Sequence, residues 1–184
     1  MSNLTFENTP FSGLKIINRK KISDNRGFLS RIFCSQELAQ VGWKKNIKQI
    51  NQTLTTEIGT VRGMHFQESP NSEMKLVTCL HGEVFDVVVD LRKGSPTFLH
   101  HFSINLSASK NISLLIPEGF AHGFQSLTKN VELLYLHSES YSPLSENGLN
   151  PLDKMLKINW PKEITSISTK DSSRNYINTD FKGY

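Results

Sequence analysis

Ten short strand-like runs between Leu14 and Leu134 constrain this chain more than any other feature: "GLKIINRKKI", "GFLSRIF", "IKQINQTLT", "GTVRGMHFQ", "MKLVTCLHG", "EVFDVVVDLR", "TFLHHFSINL", "ISLLIPEG", "AHGFQSL" and "VELLYLHS". Clusters of Gly, Pro, Asn and Ser break them apart, and runs of that length between turn formers pair into antiparallel sheets. The predicted class is all-β, a small jelly-roll barrel or sandwich with a few short helices. One helix is expected over "SQELAQVG", started by Ser35 as cap and ended by Gly42, and a second over "PLDKMLKI". The polar stretch "STKDSSRNYINTD" holds few core formers, so it is expected to lie over the surface or against a partner. A chain of 184 residues suits one domain spanning 1–184.

Charge and composition narrow the partners. The formal charge is +4, and apart from Arg19, Lys20, Lys21 and Lys44, Lys45, Lys48 the basic residues are scattered. Nucleic-acid binders concentrate them on one face, so no nucleic acid is expected, whereas a few inward-pointing cations suit a phosphate-bearing small molecule. "MSNLTFENTPFSG" lacks a basic region followed by an apolar one, and no eighteen apolar residues run together. The expectation is a cytoplasmic protein with no membrane contact. Cys34 and Cys79 lack CxxC spacing and read as small hydrophobes rather than a disulfide.

Polar residues interrupt faces that should be apolar. In "EVFDVVVDLR", Phe85, Val87, Val89 and Leu91 share one face, and Val84, Asp86, Val88 and Asp90 share the other. A carboxylate on an interior face must be paired or hydrogen-bonded. Asp90 is expected at a wet end of the strand; Asp86 reads equally as a wet residue or as part of a site. Lys75 shares a face with Val77 and Cys79, which puts a cation at the cavity mouth, although lysines at strand starts are usually solvated. His122, between Ala121 and Gly123, reads by itself as a hydrogen-bonded core histidine. Tyr135, His137 and Tyr141 share one strand and its exit, where tyrosines commonly fill cores.

"PEGFAH" matches P-x-G-x-x-H, the second metal-binding motif of cupins. The first cupin motif, however, needs two histidines spaced by one residue, and this chain has His65, Phe66 and Gln67 there, with Glu68 and Glu73 downstream. Two histidines are a poor set for zinc or iron, so a cupin barrel without a metal is expected.

Taken together, "TVRGMHFQ", "MKLVTCLHGEVFDVVVDLRKGSPTF", "LLIPEGFAHGFQSL", "LLYLHSESYSP" and "INWP" resemble, in order and spacing, the dTDP-4-dehydrorhamnose 3,5-epimerase family. The resemblance spans Leu14 to Asp171. It implies a cupin-like isomerase of deoxysugar synthesis that needs no metal and no cofactor. It implies His65 as the catalytic base paired with Asp171, Tyr135 as the proton donor across the ring, and Lys75 near the keto oxygen. It also implies His122, supported by Asp86, as an active-site histidine, and Arg62, Lys170, Arg26, Gln49, Asn51, Tyr141 and Glu146 as nucleotide or substrate contacts. A homodimer whose N-terminal strands complete the partner's sheet is implied as well.

The residue types suit the chemistry. Both C3 and C5 of a 4-keto-6-deoxyhexose are α to the carbonyl, so a base can remove either proton if the enolate is stabilised, and inversion needs a separate acid on the opposite face. Arg62 and His65 lie three apart, which a flat strand would send to opposite faces; a bulge at Gly63 is one solution and a turn at Arg62 another. The chain departs from the family pattern at Arg31, where a glutamate is expected, and at Ile50 and Gln52, where "QINQ" replaces Q-D-N-H. These departures leave the nucleotide open, and the choice between C3, C5 or both carbons. A non-catalytic sugar-nucleotide-binding cupin is the alternative.

Overall fold

The computed structural model describes residues 3–178 and 180–184, so Met1 and Ser2 of the N-terminal stretch and Thr179 of the polar tail lie outside it. In chain order the strands are β1 (Leu4–Asn8), β2 (Lys15–Arg19), β3 (Lys21–Asp24), β4 (Gly27–Ser30), β5 (Gln49–Thr55), β6 (Thr60–Gln67), β7 (Lys75–His81), β8 (Glu83–Asp90), β9 (His101–Ser107), β10 (Ile112–Ile116), β11 (Phe120–Ser126), β12 (Val131–His137), β13 (Glu146–Gly148) and β14 (Ser166–Ile167). Two short helices, α1 (Ser35–Ala39) and α2 (Thr169–Ser172), complete it. One sheet has the order β1-β2-β10-β7-β12-β5 and the other β13-β6-β11-β8-β9. β14 runs parallel to β6, all other pairings are antiparallel, and β3–β4 forms a separate hairpin.

The alternation of β8 explains how the layers stack. Val84 and Val88 point between the sheets into a core with Val77, Leu114, Phe120, Phe124 and Leu133. Val87, Val89 and Leu91 point to the far side, where Leu149, Ile158, Trp160, Ile177 and Phe181 from the C-terminal third cover them. A third cluster packs Leu38 and Trp43 on the outer face of the first sheet against Leu76, Leu115 and Leu136. Each fully buried Val or Leu contributes about 1.5–3 kcal/mol, and the polar tail is held on this layer by the partly buried Ile177 and Phe181 together with hydrogen bonds to Leu91, Asn150 and Asp153.

The predicted helices shrink. Ser35 does not cap α1; Cys34 is the capping residue and supplies no side-chain bond. A helix this short is held by packing rather than by its end, and Leu38 is fully buried. "PLDKMLKI" yields only a three-residue 3-10 turn, Lys154–Leu156: Asp153 accepts the Met155 amide and Lys157 turns left-handed at φ 52°. Both cysteines are free, Cys79 buried and Cys34 half-buried.

The wet-end expectation for Asp90 is wrong. It is fully buried, and its carboxylate accepts from Arg92 Nε and Nη2 at 2.9 and 2.7 Å and from the Ser95 and Thr97 hydroxyls at 2.6 Å each. Burial pushes the carboxyl up, but these donors outweigh it and hold the pKa at about 2. The donors come from the connection after the strand, which folds back over the carboxylate.

Candidate active site

A cleft opens between the sheets at one end of the sandwich, lined from β6 and β11 on one wall and from β7 and β12 on the other. β6 reaches it through a bulge. His122 faces His65 in the β11–β6 register, but two residues on, Phe124 faces Arg62, three residues away on β6. The extra residue is taken up near Gly63, whose φ is +137°, so Arg62 and His65 line the same cavity. Of the two solutions to that spacing, the bulge is the one observed.

His65 Nε2 lies 2.6 Å from Asp171 Oδ1, while Asp171 Oδ2 accepts the Gly63 amide at 3.3 Å. Asp171 sits in α2, whose cap, Ser168, accepts the Asp171 amide at 3.0 Å. Burial raises the Asp171 carboxyl, yet His65, Gly63 and Ser168 together hold it below the ordinary value. The carboxylate is almost wholly buried while the His65 side chain is 40% exposed. The imidazole is therefore anchored at one nitrogen and open to the cavity at the other.

Lys75 corrects the solvated reading of a strand-start lysine. It is buried, donates to the His65 carbonyl at 3.2 Å and pairs with Glu73 at 3.1 Å. A buried ammonium needs such partners. His122 Nε2 meets Asp86 Oδ2 at 2.8 Å, both side chains buried, and burial raises the Asp86 carboxyl against the pull of His122. Of the two readings of Asp86, the paired interior carboxylate is the one observed.

Tyr135 projects from the wall facing β6. Its ring meets the His122 ring edge-on at 5.9 Å and stacks on the His137 ring at 6.0 Å and 20°. Burial, reinforced by the Asp86 charge, pushes its phenol far above the ordinary tyrosine range, so it holds its proton.

At the mouth, Glu146 gathers Tyr141 Oη at 3.0 Å, Lys170 at 2.5 Å and Arg174 at 3.2 Å. Burial raises the Glu146 carboxyl, but these donors hold it low. Asn51 lines the cleft, and Gln49 beside it donates to Asn51 and accepts the Tyr141 amide. Ile50 and Gln52, the departures from the family string, alternate onto the other face of β5, where Gln52 donates to Glu132. Arg31 pairs with Glu37 away from the cleft.

Arg26 is the predicted site residue that is not brought in. It sits exposed at the β3–β4 turn, bonded to Asp24. Residues missed from the sequence are Glu73, His137 and Arg174. His137 lies two residues after Tyr135 on β12, so a period of two was the available signal for it, whereas Glu73 precedes β7 and carries no such signal. Among the described residues no three His, Cys, Asp or Glu side chains are grouped to hold a metal ion. No helix among them is long and apolar enough to cross a membrane.

A family model described as dTDP-4-dehydrorhamnose 3,5-epimerase matches residues 8–179. The chain is 38% identical over 179 residues to a dTDP-4-dehydrorhamnose 3,5-epimerase of Sinorhizobium fredii, covering 95% of this chain and 90% of that one. It is 36% identical over 160 residues to a dTDP-4-dehydrorhamnose 3-epimerase of Streptomyces niveus, covering 86% and 77%. It is also similar to the crystal structure of a dTDP-6-deoxy-D-glucose-3,5-epimerase of Legionella pneumophila in complex with dTDP-4-keto-L-rhamnose. The TM-score there is 0.89 with 37% identity, covering 94% of this chain and 92% of that one. With most of its length matched and its cleft built from the residues the motifs pointed to, this chain belongs to the dTDP-4-dehydrorhamnose 3,5-epimerase family.

Proposed function

We propose that this epimerase inverts C3, C5 or both of a dTDP-linked 4-keto-6-deoxyhexose, with His65 as base, Lys75 as enolate stabiliser and Tyr135 as acid. The observation that carries the reading is that His65, tethered to Asp171, and a proton-holding Tyr135 come from opposite walls of one cleft. His65 takes the proton α to the carbonyl, and the C–H electron pair moves into the enolate. The Lys75 ammonium offsets the charge on its oxygen, Tyr135 delivers its O–H proton to the other face, and solvent then reprotonates the phenolate and takes up the proton held by His65.

The cation cluster at the mouth, Lys170 and Arg174 about Glu146 with Arg62 nearby, suits a diphosphate, and Tyr141 offers a ring face to the base. Ile50 and Gln52 turn away from the cleft, which supports an unaltered nucleotide, dTDP.

We read the working unit as a cytoplasmic homodimer. β1 and β2 pair within their own sheet, which leaves the β3–β4 hairpin with exposed Ile22, Phe28 and Leu29 as the segment available to a second copy. A nucleotide contact by Arg26 would then be made in the partner's cleft. Light scattering should give twice the 20.9 kDa chain mass; a monomer overturns that part.

The test of the reaction is incubation in heavy water with dTDP-4-keto-6-deoxyglucose and location of deuterium by NMR. Label at C3, C5 or both, lost in His65→Ala, is the expected result, and its position separates a double from a single epimerase. Binding of the sugar nucleotide with no exchange at either carbon would instead support a non-catalytic binding protein.

A further inference from the structure

The cleft contains a third carboxylate–imidazole pair that the proton-transfer scheme does not use. His137 Nδ1 lies 2.6 Å from Glu73 Oε2, and Glu73 Oε1 lies 3.1 Å from the Lys75 ammonium. Burial raises the Glu73 carboxyl, but its bonds and charge contacts with His137 and Lys75 outweigh it, so it stays ionised. One carboxylate therefore bridges a buried lysine and a histidine.

The backbone beneath this bridge is fixed. Lys75 and His137 are direct cross-strand partners in the β7–β12 register. Just outside it, the Met74 amide donates to Ser138 Oγ at 2.8 Å and the Ser138 amide to the Met74 carbonyl at 3.0 Å. With Nδ1–H given to Glu73, Nε2 presents its lone pair towards the Asn51 amide nitrogen 3.4 Å away. Both ring nitrogens are thus engaged, and the ring plane is set. That plane is the one on which Tyr135 stacks.

We infer that Glu73 and His137 are positioning residues: His137, held by Glu73, fixes the ring plane of Tyr135, and Glu73 at the same time fixes the Lys75 ammonium. The inference rests on the roles proposed above for Tyr135 and Lys75. A buried ion pair with an attached imidazole is an expensive way to stabilise a sandwich, since apolar residues of similar volume serve as well or better. Orientation of two reacting groups at once gives it a use, because small misplacements there cost rate steeply.

The two halves separate kinetically. In heavy water, removal and return of a proton on the His65 face gives deuterium exchange without inversion, whereas inversion also needs Tyr135. Wild type, Tyr135→Phe, His137→Asn, His137→Phe and Glu73→Gln are compared with dTDP-4-keto-6-deoxyglucose, reading both exchange and inverted product. Tyr135→Phe sets the limit of exchange without inversion. His137→Asn keeps a donor towards Glu73 but removes the ring face, and should lower inversion relative to exchange on the order of tenfold. His137→Phe restores a flat ring that Glu73 and Asn51 cannot hold, so it should recover only part of that ratio; full recovery overturns the part assigned to Glu73.

Glu73→Gln turns an amide N–H towards either Lys75 or His137 and should lower exchange itself, again on the order of tenfold, because the enolate charge is less well met. Parallel loss of exchange and inversion in His137→Asn, or no loss of either, overturns the inference. Should that variant fail to fold, the near-isosteric Glu73→Gln decides, and unchanged exchange there overturns it. If Tyr135→Phe inverts like wild type, the acid assignment fails and this inference with it. If wild type does not exchange at all, the reaction itself was misread.

Discussion

Asp171 Oδ1 lies 2.6 Å from His65 Nε2 across a sequence separation of 106 residues, and the carboxylate is buried while the imidazole faces the cleft. Asp171 therefore fixes which nitrogen of His65 is free to take a proton. Replacing it with asparagine keeps the shape but removes the charge and lets the amide donate, which favours the wrong tautomer. The expected cost in kcat/KM is on the order of a hundredfold or more, with the circular dichroism spectrum unchanged.

The same pair has a pH signature. The folded Asp171 carboxyl is held below its ordinary value, so its contribution to stability is present above that value and lost as pH falls through the folded one. Asp171→Asn should accordingly be less destabilised than wild type on going from neutral to acid pH. Chemical denaturation at two pH values checks this; an equal acid loss in both proteins contradicts it.

Tyr135 should stay protonated throughout the working range. Burial and the Asp86 charge push its phenol up, so the neutral form persists well past the ordinary tyrosine value. Of the four tyrosines in the chain, this one should contribute nothing to the tyrosinate absorbance below about pH 11. The titration difference between wild type and Tyr135→Phe measures it directly, and a full tyrosine's absorbance lost below that pH would refute the assignment.

How much of this was legible in the sequence follows from how local each feature is. β6 to β12 announce themselves because alternation and bounding turns lie within each segment. β13 and β14, of three and two residues, exist only because β6 offers them an edge. The solvated alternative for Lys75 fails for the same reason: its partner Glu73 lies in the loop before β7, and its other partner is a carbonyl of β6. The His137–Glu73 bridge needs the knowledge that β7 and β12 are neighbours, which no local pattern supplies. Asp171 was reached through family resemblance, since nothing in "STKD" itself points to His65.

Asp90 gives a prediction about the fold alone. Its carboxylate takes Arg92, Ser95 and Thr97 in one buried site that ties β8 to the following connection. Asp90→Ala leaves those donors unpaired, and the expected loss is about 3 kcal/mol. The folded carboxyl titrates at about 2 against an ordinary 3.8, so its contribution is complete above the ordinary value and disappears as pH falls towards 2. The gap between wild type and variant in urea should therefore be constant from pH 7 to 5 and close below about pH 4.

Gly63 tests whether the bulge is what aims β6. A Cβ there would lie 2.5 Å from Gly123 Cα and 3.0 Å from the His122 carbonyl oxygen, and φ is +137°. The obstacles are backbone of the neighbouring strand, so nothing flexible can move aside. Gly42 also has a positive φ, +108°, with nothing within 4 Å of its Cβ position, and lies outside the β3–β4 hairpin. Gly42→Ala should therefore show the backbone cost alone, about 1–2 kcal/mol. Gly63→Ala should cost about 3 kcal/mol or more, and it should also lower epimerisation in the fraction that folds, because prising β6 from β11 moves Arg62 and His65 together. Equal stability losses in the two alanine variants, or full activity in Gly63→Ala, would show that the close approach of β6 to β11 is not what sets the geometry of the site.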